Sequence, residues 1–222
     1  MFTCDGDRRI FSKQGLLYSL IYERLGVNMN KLMVRPITRV LTSVAALSVI
    51  GVLLVVIIHF PIIPAAPFLE VDFGDVPAML AAFAFSPLLG LLTVAIASLI
   101  QALTVSAGSG SIGFFMHVCA SGVFILTAGF IFHRFRNFKA AVVGLVTGAL
   151  LATAVMIPLN LILTPIFMGV DRAIVMRMLV PAIIPFNLIK YALNAILVLA
   201  LYKPVRFLLI DKFNAKIGKS KE

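Results

Sequence analysis

Between residues 76 and 133 this chain runs for 58 residues without one Asp, Glu, Lys or Arg. A water-soluble domain, whose residues are on average about one-quarter charged, cannot cover its surface from such a stretch. The solvent it implies is lipid, and the composition agrees: 61% of the 222 residues are hydrophobic and 13% charged. Ser86-Pro87 and a glycine-serine cluster at 106–113 divide the run into segments 76–86, 88–105 and 113–133. The first holds 11 residues. As a helix it rises only ~16 Å, short of a hydrocarbon core of ~30 Å, so something must complete the crossing.

What completes it is residues 60–75, where Pro61, Pro64 and Pro67 forbid a continuing helix and predict irregular backbone. Asp75 then offers an N-cap, with Pro77 tolerated in the first helical turn. Irregular chain survives at membrane depth only when buried in protein or lining a cavity, so this stretch should line a pocket.

Further apolar spans are predicted at 40–60, within 140–170 with Pro158 and Pro165 bending or ending it, and at 181–202. The fold class expected is an all-α integral membrane protein of six transmembrane helices, the second short and preceded by the proline-rich loop. Its parts are a basic leader over 1–39, a membrane domain over 40–202 and a basic tail over 203–222. Met29 and Met33 offer alternative starts. With both termini cytoplasmic, 16 of the Lys and Arg residues fall inside, 2 outside and 1 within the membrane, the asymmetry that sets membrane orientation. The net charge of +10 therefore reads as topology rather than a nucleic-acid partner.

Lys190 is the candidate for chemistry, because an isolated cation within a span costs ~2.5–3.5 kcal/mol on insertion scales. Asn187 and Asn194 share its helix face at i−3 and i+4, and Asn160 of the preceding span could face it. An internal hydrogen-bonded network that only fixes packing is the competing reading, favoured for Asn194. Phe68, Phe114 and Phe115 could supply apolar walls. Asp72 and Asp75 could meet a substrate or cation, although a solvated loop residue and a helix cap are the plainer readings of the two. His117 reads as a packing residue, and His59 and His133 as interfacial. No His or Cys spacing suggests a metal site, and Cys4 and Cys119 read as free thiols. Gly144, Gly148 and Ala152 predict a close-packing helix face. Thr42, Ala45 and Ala46 of the first span predict another, turned either to this chain or to a partner subunit. Enzyme signatures are weak: 107–110 is a poor match to an intramembrane-protease GxSG, and 213–220 lacks the first glycine of a phosphate-binding loop.

FPIIPAAPFLEVDFGDVPAMLAAFAFSPLLG at 60–90, PLN ending at Asn160, PFNLIK ending at Lys190 and LYK at 201–203 together resemble the S components of energy-coupling-factor (ECF) transporters, in particular the riboflavin-specific ones. The resemblance spans about residues 38–207. It implies a six-helix subunit in a prokaryotic cell membrane that captures riboflavin (or FMN) from outside. It also implies docking on a transmembrane coupling protein that binds two cytoplasmic ATPases, with no ATPase site in this chain. Asn160, Asn187 and Lys190 then line the ligand pocket, with Phe68 and Asp72 beside them. Thr42, Ala45 and Ala46 meet the coupling protein, and loops 61–74, 106–112 and 169–180 close over the ligand. One departure stands out: where riboflavin-type members carry a Glu and an Asn, this chain has Phe114 and His117. Another vitamin, or a membrane enzyme or structural helix bundle with Lys190 in an internal network, are the other readings.

Overall fold

A computed structural model of the chain describes residues 37–64, 66–104 and 108–206. The leader up to residue 36, the tail from 207, Cys4, Ala107 of the GxSG-like stretch and the 213–220 motif lie outside the described residues. The chain divides into two units, 1–41 and 42–222; apart from the first five residues of the opening helix, the architecture that follows belongs to the second.

Helix α1 spans Ile37–Ile57. The proline-rich stretch after it is not irregular throughout: β1 (His59–Pro61) and β2 (Glu70–Asp72) pair antiparallel, His59 opposite Asp72 and Pro61 opposite Glu70. A proline is tolerated at the end of a two-stranded ribbon, where no further ladder donor is required. Helix α2 follows (Asp75–Ala84), then α3 (Pro87–Leu103), α4 (Gly110–Phe135) and α5 (Phe138–Met168). The last apolar segment is composite: α6 (Arg172–Met178), a π-helical turn (Leu179–Ile183) and α7 (Ile184–Arg206). The widened turn holds Pro181 and lies against Pro185, which has no N–H to continue a regular ladder.

Six apolar helical segments thus exist among the described residues, within a fold that is all-helical apart from the short ribbon. Four of them, Val40–Ile57, Gly110–Phe135, Phe138–Met168 and Arg172–Tyr202, are long and apolar enough to cross a membrane; Asp75–Ala84 and Pro87–Leu103 are shorter. The segment expected as a full span at 88–105 has 17 helical residues, ~25 Å of rise. Of the two outcomes expected for Pro158 and Pro165, bending or ending the helix, ending is excluded, since α5 runs through both; inside a membrane bundle, neighbouring groups can re-satisfy the freed carbonyls. One further expectation is corrected. Four residues of the 106–113 loop are helical, because α4 begins at Gly110, whose φ of +50° suits glycine.

All ten residues of α2 are buried, because it packs against α3, α4 and α7 at once. Around it lies one core, with Met79, Phe83, Phe124, Ile125, Phe132, Leu145 and Tyr191 among its members. A second core seats the proline-rich loop: Ala66, Leu69 and Val71 pack on Val175, Ile183 and Phe186. His133, expected at an interface, instead donates through Nε2 to the Ala82 carbonyl at 2.8 Å, satisfying the last turn of α2.

The predicted glycine face of α5 is where α4 comes closest. A Cβ on Gly148 would lie 2.8 Å from the Phe124 carbonyl oxygen, and one on Gly144 2.9 Å from that of Ala128. Backbone cannot swing aside as a side chain can, so Gly148→Ala should destabilise the protein by about 1–3 kcal/mol despite its better helix propensity. At Gly122 the nearest atom is the Leu91 Cδ1 methyl at 3.0 Å, and Gly122→Ala should be close to neutral. Melting temperatures of the two variants in detergent check this contrast, and equal midpoints would refute it.

Candidate functional site

Lys190 stands on α7 about two turns beyond the π-helical segment. Its ammonium is not free: Nζ donates to Asp72 Oδ2 at 2.9 Å, and both side chains are buried. Asp72, last residue of β2, is therefore no solvated loop residue. Its other oxygen accepts from the Gly74 backbone N–H at 3.0 Å, an Asx turn that leads into α2. Asn194 completes the clamp, donating to the backbone carbonyls of Asp72 at 3.0 Å and Lys190 at 2.9 Å. Asn194 is thus a packing residue, as its position suggested. The exit of the proline-rich loop is tied to the middle of α7 by one ion pair and one amide.

Asp75, expected as a helix cap, does something else. It is the first residue of α2, Gly74 holds the cap position, and no side chain caps that end. The Asp75 carboxylate turns instead toward α4. Ser121 Oγ donates to its Oδ2 at 3.0 Å, and His117 Nε2 lies 3.4 Å from its Oδ1.

Beside these groups is a cavity of about 180 Å³, many times the ~10–15 Å³ that admits a single water, so the space is of small-molecule size. Asn160, Asn187, Lys190, Phe68 and Asp72 all line it. These five come from four elements: α5, α7, β2 and the loop before it. Phe114 and His117 of α4 also face the cavity, but Phe115 is exposed on the outside of that helix and supplies no wall. Of the three loops expected to close over a ligand, 61–74 contributes Phe68, Leu69, Glu70 and Asp72, and 106–112 contributes Ser109 and Ile112. The 169–180 loop contributes nothing to the lining. It carries Val175, which underpins the first loop in the second core. Among the described residues no group of three or more metal-ligating side chains occurs.

Both site asparagines are pre-positioned by their own helices. Asn160 Nδ2 donates to the Met156 carbonyl and its Oδ1 accepts from Thr164 Oγ1, each at 2.8 Å. Asn187 Nδ2 donates to the Ile183 carbonyl at 2.8 Å, which leaves its oxygen and second N–H unengaged among the described residues. Lys190 likewise keeps two ammonium hydrogens beyond the one given to Asp72. Chemically, the arrangement presents fixed donors and an acceptor to the edge of a polar ring, within walls that are mostly apolar.

A chain with this bundle, a buried lysine clamp and a small-molecule cavity fits a membrane-embedded solute-binding subunit. It belongs to the substrate-specific components of ECF transporters, whose family description, "ECF transporter, substrate-specific component", matches residues 39–202. Among its relatives is the riboflavin transporter RibU of Streptococcus thermophilus, 33% identical over 183 residues (78% of this chain, 85% of that protein). RibU of Staphylococcus aureus is 35% identical over 169 residues, 73% of this chain and 88% of that one. The riboflavin transporter FmnP of Bacillus subtilis is 30% identical over 158 residues, 68% and 83% of the two chains. A solved structure of the S component of a bacterial ECF transporter superposes with a TM-score of 0.70 at 32% identity. It covers 79% of this chain and 99% of that one. The chain is accordingly a bacterial membrane transport protein.

Proposed function

We propose that this chain captures riboflavin outside a bacterial cell and passes it inward. In this reading it works with a transmembrane coupling protein and two cytoplasmic ATPases that supply the energy, and both of its termini are cytoplasmic. The observation that carries the proposal is the cavity in which Lys190, already neutralised by Asp72, stands with Asn187 and Asn160. Riboflavin fits that chemistry: an apolar fused ring against Phe68 and Phe114, carbonyl and imide groups for the amide and ammonium hydrogens, and an uncharged hydroxylated tail. The names of the relatives support the same ligand. Thr42, Ala45 and Ala46 are exposed on α1 beside Val49 and Leu53, which supports a close helix contact with the coupling protein.

The charge in and around the cavity favours riboflavin over its phosphate ester. With the Lys190–Asp72 pair self-cancelling, Asp75 behind the wall and Glu70 at the cavity leave an excess of carboxylate. A phosphate monoester would bring about −1.5 to −2 more charge into that field. Detergent-purified protein from cells grown with riboflavin should carry a stoichiometric flavin absorption spectrum. Apo protein titrated by flavin fluorescence should bind riboflavin at least about tenfold more tightly than FMN, a margin of about 1.4 kcal/mol. Colourless protein that ignores added riboflavin would turn the assignment to another vitamin, while a preference for FMN would overturn the charge argument alone.

A further inference from the structure

Two polar groups at the cavity are left unmatched, and neither belongs to the helices that carry Asn160, Asn187 and Lys190. The first is His117 of α4, which lines the cavity and is partly exposed there, its one polar neighbour among the described residues being Asp75. Asp75 is wholly buried, and its Oδ1 has no hydrogen-bond partner among the described residues. The 3.4 Å to His117 Nε2 is long for a hydrogen bond but close enough to orient the ring and hold its proton on Nε2. Nδ1 is then a bare acceptor. The second group is Ser98 of α3, buried at 3% exposure, lining the cavity, with an Oγ that has no partner among the described residues. Other helical hydroxyls find partners: Ser48, Thr93 and Thr153 each donate to the carbonyl four residues earlier, at 2.8–2.9 Å, and Ser121 and Thr164 donate to the side chains of Asp75 and Asn160. Ser98 makes neither kind of bond among the described residues. A buried hydroxyl that forgoes both carries a desolvation cost that a ligand can relieve.

We infer that Ser98 and His117 read the hydroxylated tail of the bound flavin, with Asp75 as the positioning residue that fixes the His117 ring. The inference rests on the riboflavin reading of this cavity and adds to it a second polar contact zone. The ring edge takes the asparagines and Lys190, and what remains polar in the ligand is its row of hydroxyls. Each hydroxyl donates as well as accepts, which suits an imidazole nitrogen that only accepts and a serine that can donate.

The test uses the full chain purified in detergent and two probes, riboflavin and lumiflavin, which keeps the ring but has a methyl group in place of the hydroxylated chain. Ser98→Ala and His117→Leu should each weaken riboflavin about tenfold while leaving lumiflavin within about twofold. His117→Gln, which keeps an acceptor, should recover part of the loss, and Asp75→Asn should narrow the ratio of the two affinities. Equal losses for both flavins, or none for either, would overturn the inference. Should His117→Leu fail to fold, Ser98→Ala, which removes one oxygen atom, decides alone. Wild-type protein that binds neither flavin removes the riboflavin reading and this inference with it. Flavin binding that the variants leave unmoved removes this inference only.

Discussion

Replacing Asp72 with alanine is expected to destabilise the purified protein by about 3–5 kcal/mol, a fall in melting temperature of roughly 10 °C. The carboxylate holds two things, the Lys190 ammonium and the Gly74 N–H, while the Asn194 bond goes to the Asp72 backbone carbonyl and survives the substitution. Removing it leaves Lys190 as a buried, uncompensated cation in an apolar bundle, the costliest of these losses. The double variant Asp72→Ala with Lys190→Met removes both charges and should regain most of the stability. If the single and double variants melt together, the ion pair is not what holds the loop exit to α7.

The second large effect separates that structural role from binding. Lys190→Met should weaken riboflavin about 100-fold in a fluorescence titration, or about 2.7 kcal/mol. A charge-assisted hydrogen bond is worth about 1.5–3 kcal/mol, and the change also turns the bared Asp72 carboxylate toward the ligand's carbonyls. Adding Asp72→Ala restores stability but not the lost donor, so the double variant should melt near wild type and still bind riboflavin at least about tenfold more weakly. Wild-type affinity in the double variant would make Lys190 a packing residue and nothing more.

What could be read from residues alone follows from the range of each signal. Asn187 and Lys190 were legible as a pair because helical periodicity relates positions three apart. Their pairing across space was not: Lys190 and Asp72 are 118 positions apart, and no local pattern reports such a contact. The same limit exchanged the two aspartates. Asp75 stands where a cap residue would, but the turn is made by Asp72, while the pull on Asp75 comes from Ser121 and His117 on another helix. Pro158 and Pro165 left bending and ending both open, since the rule that proline ends a helix assumes water as the competitor for the freed carbonyls, and the helix runs on through both. The alternation of Gly144, Gly148 and Ala152 was readable because close packing needs small residues at a fixed spacing.

The buried helix α2 also bears on how the protein is made. At ten residues, about 15 Å, it is too short for the insertion machinery to accept as a span by its own hydrophobic length. It sits instead in a slot formed by α3, α4 and α7, all of which follow it in the chain, α7 by about a hundred residues. The centre of this bundle is therefore completed only once α7 has been made, by helices in the bilayer gathering around a segment that could not enter first. A chain truncated before α7 would leave Asp72 without its lysine and α2 without one of its walls.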